Sequence, residues 1–70
     1  MSEDKAAIVA ALFPVLKMTR QYSDLQSLEY RKISQGYEIV IAEFPGGKAE
    51  IGVTYDSGSA MIRDIMRGLP

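Results

Sequence analysis

Residues 37–55 constrain the fold of this chain more than any other stretch. They read Tyr37-Glu38-Ile39-Val40-Ile41-Ala42-Glu43-Phe44, then Pro45-Gly46-Gly47-Lys48, then Ala49-Glu50-Ile51-Gly52-Val53-Thr54-Tyr55. Two runs rich in β-branched and aromatic residues flank a Pro-Gly-Gly, the pattern of a β-hairpin. Proline presets φ at the first loop position and Gly47 accepts positive φ without a Cβ penalty, which predicts a three-residue loop of Pro45, Gly46 and Gly47. Such a loop sets Phe44 opposite Lys48, Glu43 opposite Ala49, Ile41 opposite Ile51, Ile39 opposite Val53 and Tyr37 opposite Tyr55. The predicted interior is then Tyr37, Ile39, Ile41, Ile51, Val53 and Tyr55. Glu38, Val40, Ala42, Phe44, Lys48, Glu50, Gly52 and Thr54 take the second face, which Val40 and Phe44 keep from being fully wet. A two-residue loop is set aside on the ground that it would oppose Glu43 to Glu50 and split the apolar set.

The remainder of the chain is expected to cover that hairpin or to reach it. Ser2 is the expected N-cap of a first helix, with Glu3 and Asp4 in the first turn. Ile8, Ala11, Leu12, Val15 and Leu16 form its main apolar stripe, and Val9 with Phe13 a second one beside it. A helix apolar over most of its circumference is expected to be buried on more than one side. Pro14 predicts a kink or an end near Phe13, and a helix that continues is expected to fade by Thr19. Residues 20–27 lack periodicity and read as connection.

Residues 24–33 admit two readings. Leu28, Tyr30 and Lys32 alternate with Glu29, Arg31 and Ile33, as in a charged edge strand. Ser23 and Gln26 stand instead at capping-box spacing, which with Leu25 and Leu28 would open a short helix. The strand is favoured, because Ser34-Gln35-Gly36 makes a good turn into the hairpin. After Asp56-Ser57-Gly58-Ser59, the residues Met61, Ile62, Ile65, Met66 and Leu69 mark a last helix that Gly68 and Pro70 close. The prediction is one α+β domain over residues 1–70: a three-stranded antiparallel meander with an N-terminal and a C-terminal helix on one face, α-β-β-β-α.

Composition removes whole classes of chemistry. With no cysteine and no histidine there is no disulfide, no thiolate or imidazole zinc site, and no Ser-His or Cys-His nucleophile. No metal and no cofactor is expected. Glu38, Glu43 and Glu50 do not converge and read as solvated charges on a sheet surface. Gly46-Gly47 lies at a hairpin tip rather than before a helix, so it is no phosphate loop. The chain is expected to be no enzyme. Eight basic and nine acidic residues, scattered for a net charge of −1, also argue against binding driven by charge alone. The apolar run at residues 6–16 falls well short of the roughly 20 residues that span a bilayer, and no basic leader precedes it. A cytoplasmic protein with no membrane partner is expected.

Three candidate sites remain. Ser57, Gly58 and Ser59 form a strand-to-helix turn able to hold an anion, though helix capping explains them more simply. Tyr30, Arg31, Lys32, Arg63 and Arg67 are the residues a nucleic-acid-binding surface would use. In element order alone the chain resembles the double-stranded-RNA-binding domain. That family opens its last helix with a lysine cluster where this chain has Ser59-Ala60-Met61-Ile62-Arg63, so no residue is carried across. Third is surplus apolar surface: Val9, Phe13, Val40 and Phe44 are the expected contact residues of a homodimer or a protein partner, which would reinforce a small core. The leading expectation is a non-catalytic interaction module working as a homodimer, with nucleic-acid binding as the alternative.

Overall fold

The computed structural model describes residues 4–53 and 57–70. Its elements run α1 (Lys5–Lys17), β1 (Ser27–Ser34), β2 (Tyr37–Phe44), β3 (Gly47–Val53) and α2 (Gly58–Gly68). The strands form one antiparallel sheet in the order β1-β2-β3. α1 packs against β1 and α2 against β3. A single buried cluster joins Val9 and Leu16 of α1, Val40 and Ala42 of β2, Ile51 and Val53 of β3, and Met61 and Ile65 of α2. Both helices therefore cover the same side of the sheet, and α-β-β-β-α is the architecture.

The hairpin register differs from the predicted one by a residue. Phe44 pairs with Gly47, Glu43 with Lys48, Ile41 with Glu50, Val40 with Ile51, Ile39 with Gly52 and Glu38 with Val53. The loop thus holds two residues, Pro45 and Gly46. Counted position by position, that loop opposes Glu43 to Lys48, an attractive pair, so the like-charge objection to it fails. Proline cannot adopt the positive φ that two-residue hairpin turns favour at their first position. The adjustment falls on Gly47, whose φ is +150°.

Because side chains alternate along a strand, the shift turns one strand over relative to the other. Ile39 and Ile51 lie on contrary sides, and the predicted interior is divided. Ile51 and Val53 are in the core, whereas Tyr37, Ile39 and Ile41 point away from it. The set expected on the second face is divided too: Glu38, Val40, Ala42 and Phe44 face the helices, while Lys48, Glu50 and Gly52 do not. Tyr55 and Thr54 lie outside the described residues. Large side chains on the helices and the α1–β1 connection (Leu16, Leu25, Met61, Ile65) fill the space over the central strand, and the smaller Val40 and Ala42 fit beneath them.

Several local features follow from short-range chemistry. Asp4, not in the first turn, is the N-cap of α1, its Oδ1 accepting from the Ala7 amide at 3.0 Å. Ser2 and Glu3 lie outside the described residues. Pro14 neither ends nor interrupts α1, which runs on to Lys17. Both Pro14 and Ala10 are exposed, so water can serve the carbonyl that proline leaves unpaired. α1 is buried along one side only. Val9 and Leu16 are interior, Ile8, Leu12 and Phe13 pack at the margin, and Ala11 and Val15 are exposed.

The α1–β1 connection is not merely a link, because it contributes Tyr22 and Leu25 to the core. β1 is the favoured strand, paired Leu28 to Ala42, Tyr30 to Val40 and Lys32 to Glu38, with an irregularity between Lys32 and Ser34. Gly36, at φ +79°, completes its turn into β2. α2 is capped by Ser57, whose Oγ accepts from Ala60 N at 3.2 Å. Leu69 leaves the helix in extended backbone, as the residue before a proline must. Among the described residues no helix is long and apolar enough to cross a membrane.

Candidate functional site

Strand β2 presents two unlike surfaces, and both bear on function. On the helix side, the alternation that buries Val40, Ala42 and Phe44 also carries Glu38 inward, leaving it 5% exposed. Glu38 is thus not the solvated charge the sequence suggested. The first turn of α1 puts the Lys5 Nζ 2.8 Å from Glu38 Oε1. Tyr30, two residues along β1 from the position opposite Glu38 and so on the same face, donates its hydroxyl to the same carboxylate. Lys32 stands directly across from it. The Lys5 ammonium holds the Glu38 carboxyl below the usual carboxylate range; burial pushes the other way, and Tyr30 and Lys32 reinforce Lys5. Burial, then the bond to Glu38 and its charge, push the Tyr30 phenol up. A carboxylate only 5% exposed and engaged by an ammonium and a phenol offers a substrate little access. What the cluster does is tie the start of α1 to the central strand.

Among the described residues, no helix lies over the opposite side of the sheet. Its cross-strand levels are Arg31-Ile39-Gly52, then Glu29-Ile41-Glu50, then Ser27-Glu43-Lys48, with Tyr37 beyond Ile39. Aliphatic and aromatic residues of β2 thus form a central stripe with charges of both signs on either flank. Tyr37 is 52% exposed and Ile41 half-buried. Ile39 is only 7% exposed yet stands outside the core cluster. Arg31 bonds Glu29 through Nε at 3.3 Å, and the Ser27 hydroxyl donates to Glu43 Oε1 at 3.0 Å.

The candidate residues fare unevenly against this geometry. Val9 and Val40, expected at a contact surface, are interior, because α1 turns its Val9 side to the sheet and the register turns Val40 to the helices. Phe13 and Phe44 pack at the margin of that core, and the Lys17 ammonium sits 5.6 Å from the Phe13 ring centre. Of the anion-site residues, Ser57 spends its hydroxyl on the Ala60 amide and lies 3.3 Å from the Ser59 hydroxyl, while Gly58 is buried. That is a helix cap. The five nucleic-acid candidates do not share a surface. Tyr30 and Lys32 face Glu38, Arg31 lies on the open side, and Arg63 and Arg67 ride on α2 at the other edge of the sheet. Tyr22 is a core residue.

A shallow, open depression of about 390 Å³ lies at the hairpin tip, lined by Phe44, Gly46, Gly47, Lys48, Ala49 and Pro70, and Lys48 is its one charged side chain. Among the described residues no cluster of three or more acidic side chains is placed to hold a metal ion. Sequence reasoning missed the inward Glu38 and the outward Ile39 and Ile41. The signal was present in β3, and in β1 from Leu28 to Arg31, where apolar and charged residues alternate, but β2 is apolar on both sides and gives no parity of its own. Compared with protein-family models, curated proteins and solved structures, the chain finds no match.

Proposed function

We propose that the chain is a small, non-catalytic interaction module that works by protein–protein contact, as a homodimer. The observation that carries this reading is the side of the sheet that no described helix covers, where Tyr37 is exposed and Ile41 half-buried beside the buried Ile39 of the same strand. A domain of this size buries only about 60% of its unfolded surface, and covering a second sheet face adds burial that one chain cannot supply. The contact surface is therefore the open side of the sheet rather than the Val9, Phe13, Val40 and Phe44 set.

Charge supports a protein over a nucleic-acid partner. On the open side Glu29, Glu43 and Glu50 outnumber Arg31 and Lys48, which repels phosphate. Sedimentation between about 10 µM and 1 mM, the range suited to an interface of modest area, is expected to show a mass rising toward twice the 7.7 kDa of the chain. A monomer mass throughout that range ends the homodimer reading. Retention of labelled RNA or DNA at low salt would favour the alternative instead.

A further inference from the structure

Resting on that reading, we infer that a second copy of this chain covers the open sheet face about a two-fold axis that crosses the strands between Ile39 and Ile41, so that Ile39 packs on the partner's Ile41 and Glu29 pairs with the partner's Arg31. The charges select this arrangement from the alternatives. Two sheets stacked face to face keep their strands within about 30° of each other and lie about 10 Å apart. A two-fold axis along the strands would lay β1 over the partner's β3 and set Glu29 against the partner's Glu50, twice. Across the strands and through Ile41, it would set Glu29 on the partner's Glu29 and Glu50 on the partner's Glu50. Through Ile39, it would oppose Arg31 to the partner's Arg31.

Only the axis between those two levels relieves every such clash while keeping the aliphatic pairs together. Level Arg31-Ile39-Gly52 then faces level Glu29-Ile41-Glu50 of the other copy. Glu50 comes over the partner's Gly52, where the missing side chain leaves room, and Tyr37 comes to the partner's Glu43. Moving the axis one step toward the hairpin tip would pair Glu50 with the partner's Lys48. It would also set Ile41, the more accessible of the two aliphatics, on the partner's Glu43, forfeiting its apolar contact.

Complementary charge swaps test the arrangement. Glu29→Arg alone places a new arginine against the partner's Arg31, and Arg31→Glu alone places two glutamates together. Each variant is expected to dimerise at least about tenfold more weakly than the parent, since like charges in contact penalise association. An equimolar mixture of the two is expected to recover the parent Kd as a heterodimer. The arginine introduced in one chain then meets the glutamate introduced in the other, and the native pair survives on the second side. Mixing cannot restore the Glu29–Arg31 pair within either chain, so recovery reports the contact between chains. Circular dichroism melts of both variants confirm that they are folded. A parent that dimerises while the variants dimerise equally well, or fail to recover on mixing, overturns this arrangement and leaves the homodimer reading standing. A parent that stays monomeric removes both.

Discussion

The two sides of β2 are built from neighbouring residues of similar apolarity and end in different environments. Val40 and Ala42 disappear beneath two helices, while Ile39 and Ile41 lie on the other side of the sheet, between charged flanks. Hydrophobicity alone therefore does not decide which side of a central strand becomes interior. The decision comes from the adjoining strands, whose own polar residues need water, and from the volume of the side chains the helices bring.

This contrast is most sharply broken or confirmed at Val40. Val40→Ala removes two methyl groups from a sealed site and is expected to cost about 2.5 kcal/mol, a large part of the stability of so small a domain. Denaturant melts of dilute protein measure it, and an equal cost for Ile41→Ala would erase the distinction between the sides. Gly68→Ala probes how closely α2 approaches the same inner side. A Cβ there would stand 2.6 Å from Ile51 Cγ2 and 3.0 Å from Cγ1. Overpacking is expected to outweigh the helix-propensity gain and destabilise by about 2 kcal/mol. In an Ile51→Ala background the same change should cost far less, which a double-mutant cycle reads directly.

Glu38→Gln tests the one acidic side chain that is buried among the described residues. In a domain this small water is never distant, so the loss is expected near about 1.5 kcal/mol rather than that of a deeply buried pair. Its pH dependence has a definite sign. The folded carboxyl titrates below its ordinary 4.5, so its contribution is present above that value and disappears as pH falls through it toward the folded pKa. Acid melts of the variant should lose that limb. Tyr30 behaves oppositely: its phenol is pushed above 10.0, so its contribution is complete below that value and fades as pH rises past it. Smallest is Arg31→Ala. Its exposed pair with Glu29 contributes little within one chain, and dilute protein should change by less than about 0.5 kcal/mol. The same substitution at high concentration weakens association, which is the contrast the open side predicts.

Much of the architecture was legible in the residues alone. Strong local signals place all three strands and both helices: the alternation of Leu28, Tyr30 and Lys32, the turn at Gly36, the Ser57 cap and the stripe of Met61, Ile65 and Leu69. Parity of the hairpin was not legible, because turn chemistry at Pro45-Gly46-Gly47 tolerates loops of two or three residues and β2 has no polar side to arbitrate. The inward carboxylate at Glu38 was hidden for the same reason. Its partner Lys5 lies in another element, beyond the reach of a reading by spacing. Leu25 figured only in the short-helix alternative, and its burial was not legible because a connection has no periodicity from which to infer it.

The tip at Pro45 and Gly46 has one more consequence. It acts as a phase-setter: what it fixes is a count, not a shape. Exchanging residues there alters local comfort, whereas adding or deleting one inverts β3 and would send Ile51 and Val53 into solvent and Glu50 into the oil. Across chains built on this plan, the length of that bend is expected to drift far less than its spelling.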